Sequence, residues 1–211
     1  MKMKLLIAAA MMIPVVMFAL ALLSLDEPDY TVVEEHEAFE LRRYAPLIVA
    51  ETKVEASFDA ATENASPLLV DYVQRGNQGE RNLPMLAPVR QQLAPDAPGS
   101  ATGDVGSGGD GPWLYQFAMP KEYRMSMLPQ PSDDRVTLRQ LPEQLVAARR
   151  YNGSWSEGRY REQEAALLDA LQANGLVAVS NPVFARYNAP FVPGFLRRNE
   201  VMIEVREPGG S

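Results

Sequence analysis

The side chains that most readily do chemistry are scarce in this chain of 211 residues. It has no cysteine, which removes disulfides, thiolate metal sites, iron–sulfur clusters and cysteine nucleophiles together. The one histidine, His36, sits in Glu34-Glu35-His36-Glu37, so no two-histidine metal site can form and a Ser/His catalytic pair has little to draw on. Glu122, Glu143 and Glu200 could in principle form a carboxylate pair for acid–base work, but no spacing in the sequence brings two of them together. Phosphate loops, nucleophile elbows and metal-ligand patterns are absent. What remains is the chemistry of holding a ligand. Thioethers such as Met85, Met119, Met125, Met127 and Met202 adapt to flat apolar surfaces. Each has a plainer role as a core filler, and Tyr72 and Tyr187 read first as core aromatics. The expectation is a binding protein and not an enzyme.

The elements that must position these residues form two similar runs. Residues 48–58 read against residues 145–155, 97 positions on, as an apolar start, a strand and then Ser followed by a large aromatic, Phe58 or Trp155. A helical segment follows each, ended by Gly76-Asn77 in the first copy and Asn174-Gly175 in the second. Such a duplicated unit tends to enclose a cleft along its pseudo-two-fold axis. A short hairpin over residues 30–34 and 39–44 precedes the first copy. In residues 47–56, Ile48, Ala50, Thr52 and Val54 alternate with Val49, Glu51, Lys53 and Glu55, which predicts one buried and one wet face.

Ser57 is the expected cap of the first helix, and Pro67 within it predicts a kink or a restart at Ser66, since proline costs roughly 3 kcal/mol in a helix interior. Residues 82–92 read as the next strand, broken by Pro84 and Pro88. Residues 94–112 turn to Gly, Pro, Ser, Asp and Ala, the composition of a long mobile loop and not of a domain boundary. In the second copy, residues 136–140 and 144–151 read as strands. Ser154 and Glu157 have capping-box spacing, and Leu167, Leu168 and Leu171 make the buried helix stripe. Residues 177–186 and 200–207 supply the last strands. One helix per half against about four strands gives an α+β domain with mostly antiparallel sheet. The expected boundaries are a membrane segment over 1–28, one domain over 29–207 with repeats at about 29–120 and 133–207, and a tail over 208–211.

Lys2 and Lys4 precede an uncharged run over residues 5–25. At about 1.5 Å per residue this run is long enough to cross a bilayer. Lysines before it, with Asp26, Glu27 and Asp29 after it, place the N-terminus in the cytoplasm and the domain outside. The expected location is the bacterial inner membrane, crossed once, with the domain facing the periplasm. Ala19-Leu20-Ala21 also fits a small-x-small cleavage site, which would instead release the domain to the periplasm. The first 25 residues hold two of the 20 basic side chains and none of the 27 acidic ones, so the remainder carries a balance of −9. That surface repels phosphate backbones and excludes nucleic acid as an expected partner.

Four segments together carry a family resemblance: Phe39-Glu40-Leu41-Arg42-Arg43-Tyr44; Met85-Leu86-Ala87-Pro88-Val89; Phe117-Ala118-Met119-Pro120 with Tyr123; and Tyr187-Asn188-Ala189-Pro190-Phe191 with Arg198-Asn199-Glu200-Val201. Leu68-x-x-x-Tyr72-Val73-x-x-Gly76-Asn77 fits alongside them. In this order, over about residues 29–206, the chain resembles the SOUL haem-binding family. The resemblance implies a distorted antiparallel β-barrel built from two pseudo-symmetric βαββ repeats with two flanking helices. It also implies reversible, non-covalent binding of haem or another porphyrin in an apolar pocket beside the first helix and the last strands. The same architecture resembles the effector-binding domains of multidrug-responsive regulators, and some relatives of it are hydrolases.

Carried onto this chain, the resemblance implies a pocket at Leu69, Val70, Val73, Met85, Tyr187 and Phe191, with Pro190 shaping its mouth. Arg43, Arg197 and Arg198 are the expected partners of tetrapyrrole propionates, since guanidinium binds carboxylate through two parallel hydrogen bonds. For Arg198 a structural contact with Glu200 is the competing reading. There are departures from the family pattern. Leu86 stands where threonine is usual, and Arg43 stands where some members carry a histidine proposed as an iron ligand. His36 reads either as an axial ligand or as a solvated turn histidine among carboxylates, and its acidic surroundings favour the second. The alternatives to tetrapyrrole binding are a binder of another bulky hydrophobic molecule, an envelope interaction module, or a hydrolase.

Overall fold

The computed structural model describes residues 26–95 and 111–206. The expected anchor at residues 5–25, the centre of the expected loop at 94–112 and the tail at 208–211 lie outside them. Among the described residues no helix is long and apolar enough to cross a membrane.

Ten strands and two long helices follow one another as β1 (Tyr30–Glu35), β2 (Glu40–Tyr44), β3 (Leu47–Ala56), α1 (Phe58–Gln74), β4 (Leu86–Leu93), β5 (Gly111–Ala118), β6 (Val136–Leu141), β7 (Gln144–Asn152), α2 (Glu157–Ala173), β8 (Val177–Ala178), β9 (Val183–Arg186) and β10 (Arg198–Arg206). The fold is mixed α+β. Every strand pairing is antiparallel, and the strands run β1-β2-β7-β10-β9-β4-β5-β3-β6, with β8 added to β10. The two ends, β1 and β6, do not pair with each other, so the sheet is a curled half-barrel where a barrel was expected. Closure depends on pairing between strands about a hundred residues apart, which local alternation does not encode.

The order β3-α1-β4-β5 recurs as β7-α2-β9-β10, and the two runs join where β4 pairs β9, with Val89 opposite Arg186 and Gln91 opposite Phe184. Both helices have 17 residues. Their starts differ. Ser57 caps α1, its side chain accepting from the Ala60 amide at 3.4 Å. In the second copy the cap position is Ser156, not Ser154, and it makes no side-chain cap bond; Ser154 Oγ lies 3.0 Å from Ser156 Oγ instead. Gly153, at φ +136°, supplies a turn that inserts two residues before the helix. As a result Phe58 enters the core while Trp155 packs half-buried against its edge.

α1 runs unbroken through Pro67, where a restart at Ser66 was expected. The ring faces water, as does Glu63 one turn back, so the carbonyl that loses its amide partner is solvated. Gly76 closes the helix. A Cβ there would overlap the Asp71 side chain, and the Gly76 amide donates to the Asp71 carbonyl at 2.7 Å.

Apolar burial divides along the faces of the sheet. Ala65, Leu69, Tyr72 and Val73 of α1 pack on Ile48, Ala50, Tyr115 and Phe117. Tyr160, Leu167 and Leu171 of α2 join Phe58, Trp113, Phe184 and Ile203. Phe58 meets Trp113 edge-on at 5.3 Å and lies 5.2 Å from the Tyr160 ring, so the first residue of α1 joins both helices to the sheet. The face turned away from the helices carries its own cluster of Tyr44, Val146, Ala148, Val183, Ala185 and Met202. Val49 is fully buried beside Ile48 and Ala50, where alternation predicted a wet face. The strand expected over residues 177–186 is split into β8 and β9 by Ser180, Asn181 and Pro182, and that expected over 82–92 begins only at Leu86.

Candidate functional site

A one-residue step along an α-helix rotates the side chain by about 100°, and α1 presents two different stripes in this way. Ala61, Ala65, Leu69, Tyr72 and Val73 face the core. Thr62, Ser66 and Val70, spaced i, i+4 and i+8, form the next stripe round and make one wall of a cleft of about 260 Å³. The floor is Met85, Ala87 and Val89 from β4 and its lead-in, with Tyr115 and Phe117 from β5. The far wall is Arg186 at the end of β9 and the loop residues Tyr187, Asn188, Ala189 and Pro190, with Trp155 completing it.

Of the residues expected at a pocket, this cleft brings together Val70, Met85 and Tyr187, with Pro190 at its edge. Leu69 and Val73 belong to the core behind it. Phe191 follows Pro190 but projects into solvent, 72% exposed, as does Phe195 at 76%. Arg43 lies on β2 and donates to Glu143 at 3.1 Å on the surface. Arg197 holds the loop after β9, donating to the carbonyls of Val192 and Pro190 at 2.7 and 2.6 Å, and stacks over the Trp155 ring at 4.2 Å. His36 is outside the cleft, stacked on Phe39 with ring centres 4.3 Å apart.

Arg198 and Tyr187 are bound into one buried network on the far face of the sheet. Glu200, fully buried, accepts from Arg42 at 2.8 and 3.2 Å, from Arg198 at 2.9 and 3.2 Å and from the Tyr187 hydroxyl at 2.6 Å. Burial alone would raise the Glu200 carboxyl, but the Arg42 guanidinium, with Arg198 and Tyr187, holds it below the usual carboxylate range. Burial and the Glu200 charge push the Tyr187 phenol well above its ordinary value, so the hydroxyl stays a donor. Arg198 also donates to Glu27 at 2.6 Å and lies 3.8 Å over the Tyr187 ring. The structural reading of Arg198 with Glu200 is the geometry found. Glu122 and Glu143 are both exposed and Glu200 is buried in this network, so the three carboxylates do not converge.

The sequence reading passed over Thr62, Ser66, Val89, Trp155 and Arg186. A signal existed for the last. In Val183-Phe184-Ala185-Arg186, alternation puts a charged side chain on the same face as Phe184, a core residue. A larger cavity of about 600 Å³ is bordered by residues 26–29 and by Lys121, Glu122 and Arg124. Apolar residues such as Leu47, Ile48, Leu86 and Met119 share its lining with six charged side chains of both signs, whereas the smaller cleft carries one charge, so the smaller cleft is the better site for a flat hydrophobic molecule.

An apolar cleft wedged between a helix and the loop of a curled antiparallel half-barrel defines a small-molecule binding fold. A family model described as SOUL heme-binding protein matches residues 25–204, and the chain belongs to that family. It is 28% identical over 179 residues to human heme-binding protein 2, covering 81% of this chain and 80% of that one. Heme-binding protein 2 of the mouse is 28% identical over 175 residues. Among solved structures, the EcmrR C-terminal domain superposes with a TM-score of 0.62 at 11% identity, over 85% of this chain and 99% of that one. That likeness shows the shared fold.

Proposed function

We propose that the domain binds haem or a related tetrapyrrole without covalent attachment, in the cleft between α1 and the loop after β9. The observation that carries this reading is the convergence of Val70, Met85, Phe117, Tyr187 and Pro190 around one cavity in a chain of the SOUL family. At about 260 Å³ the cleft is smaller than the roughly 300–1,000 Å³ of sites that enclose a drug-sized ligand. It therefore takes one edge of a macrocycle and leaves the remainder at the mouth, where Pro190 and the exposed Phe191 lie.

The apolar walls suit the edge of such a group. For iron, the cleft offers no histidine, and the Tyr187 hydroxyl is committed to Glu200, which leaves the Met85 thioether as the soft donor among the lining residues. Holding is then mainly apolar enclosure, at about 25 cal/mol per Å² buried, and iron-free porphyrin binds comparably. The role is binding and not catalysis. Hemin titration of the purified domain tests the reading. A saturable shift of the haem absorption band with quenched tryptophan emission is expected; neither change appearing sinks it.

The domain is held at the bacterial inner membrane by residues 5–25 and faces the periplasm, with release after Ala21 as the second route. The charge asymmetry around that run supports this orientation. Resistance of the full chain to alkaline carbonate extraction from membranes, and access of external protease to the domain in spheroplasts, are the expected results.

A further inference from the structure

Arg186 ends β9 in the middle of the sheet and is 5% exposed, yet it lines the cleft. Its guanidinium donates to Thr62 Oγ1 and the Tyr115 hydroxyl, each at 2.7 Å, and to Gln91 Oε1 at 2.6 Å. All three acceptors are neutral. Nε is buried and has no hydrogen-bond partner among the described residues. Arginine has five N–H donors, so these three bonds leave the Nε hydrogen and one on Nη2 unspent. Those two nitrogens share an edge of the fork that a carboxylate can span with two parallel bonds.

Two other arginines of the sheet are paired: Arg42 and Arg198 both close on Glu200. Arg90, on the adjacent strand, shares the unpartnered buried Nε but borders a different, polar cavity and not this cleft. No carboxylate among the described residues comes within ion-pair distance of Arg186. Asp59, exposed on the first turn of α1, reaches it only through its field. Burial lowers the pKa of the guanidinium, but arginine keeps its proton in proteins. The cation lies beside the rings of Phe184 and Trp155, at 4.6 and 5.3 Å, which soften its desolvation without neutralising it. A buried charge normally has a paired counter-charge, and the cavity this residue borders is the apolar cleft.

We propose that Arg186 is the anion-recognition point of the cleft: a ligand carboxylate docks on its unspent donors, so the site selects flat apolar molecules that carry a carboxylate over neutral or cationic ones of the same shape. The proposal deepens the tetrapyrrole reading and rests on that cleft. It also moves acid recognition from Arg43 and Arg198, both already paired and neither lining the cleft, to the cleft wall.

Protoporphyrin IX and its dimethyl ester, titrated against the purified domain in one detergent, make the comparison, read by quenching of tryptophan emission. The free acid is expected to bind about tenfold tighter or more, the return on a charge-assisted contact made in a water-poor site. Arg186→Gln, which removes the charge and keeps a polar side chain, is expected to abolish the preference of the acid over the ester. If that variant does not fold, the wild-type comparison of acid with ester decides alone. Equal wild-type affinities for both overturn the role of Arg186 and leave porphyrin binding standing. If neither porphyrin binds, pyrenebutyrate against its methyl ester separates the two ideas. A preference for the acid keeps Arg186 as the recognition point and discards tetrapyrrole, whereas no preference overturns both.

Discussion

The Tyr187 hydroxyl donates to Oε2 of Glu200 at 2.6 Å, and this one bond ties a wall of the ligand cleft to the charged network on the opposite side of the sheet. Glu200 is the hub: remove its charge and two guanidiniums lose their buried counter-ion. Glu200→Gln is expected to destabilise the domain by about 3–5 kcal/mol, the cost of breaking a buried pair from one side. Tyr187→Phe keeps the ring against the cleft and the charges paired, so its cost should be the smaller one of a single bond to a charged group, about 1.5–3 kcal/mol. Urea unfolding of both variants checks the order.

The same carboxylate gives the domain a pH dependence with a defined sign. Its folded pKa lies below that of an unfolded glutamate, about 4.3. The stabilisation is fully present above that unfolded value and is lost as pH falls through the folded one. Asp133, clamped by Arg135 and lowered to about 2, acts in the same direction, but the pair is exposed and screened by salt. Stability measured below about pH 4.3 should therefore fall steeply in wild type at high salt and much less in Glu200→Gln.

The unequal helix starts predict unequal cap mutants. Ser57→Ala removes a side-chain bond to a helix amide, and a loss of about 0.5–1 kcal/mol is expected. Ser154→Ala and Ser156→Ala remove no such bond and should each fall within about 0.5 kcal/mol of wild type. Thermal unfolding of the three variants makes the comparison.

Those two starts also show how far the sequence could be read. Strand alternation and the Ser-aromatic repeat were local and placed both helices and most strands. The two-residue insertion at Gly153 was hidden, because Ser154 and Ser156 are equally good cap residues and only the turn chooses between them. At the site, the motif spacing pointed to Val70, Met85 and Tyr187. It could not reveal that Arg43 is taken by Glu143 and Arg198 by Glu27, partners 100 and 171 residues away. Partners that distant are set by the curl of the sheet. Arg186 needed only its own strand, where a charge on the core face signals either a buried partner or a ligand.

Neighbours on α1 offer the sharpest separation of fold from function. Leu69 is fully buried beneath the helix, and Val70 lines the cleft one step round. Leu69→Ala leaves a hole in the core and is expected to cost about 2–5 kcal/mol. At a temperature where the variant is still folded, its hemin affinity should stay close to wild type, because no atom of the cleft has been removed. Val70→Trp does the reverse. Its side chain has a partly open cavity to enter, so the fold should tolerate it, while the added indole occupies the space a macrocycle edge needs between α1 and Pro190. The absorption shift with hemin should then be lost at concentrations that saturate wild type, with the unfolding midpoint little changed. Hemin binding that survives Val70→Trp would place the ligand elsewhere on the domain, and the larger cavity beside residues 26–29 would be the next to block.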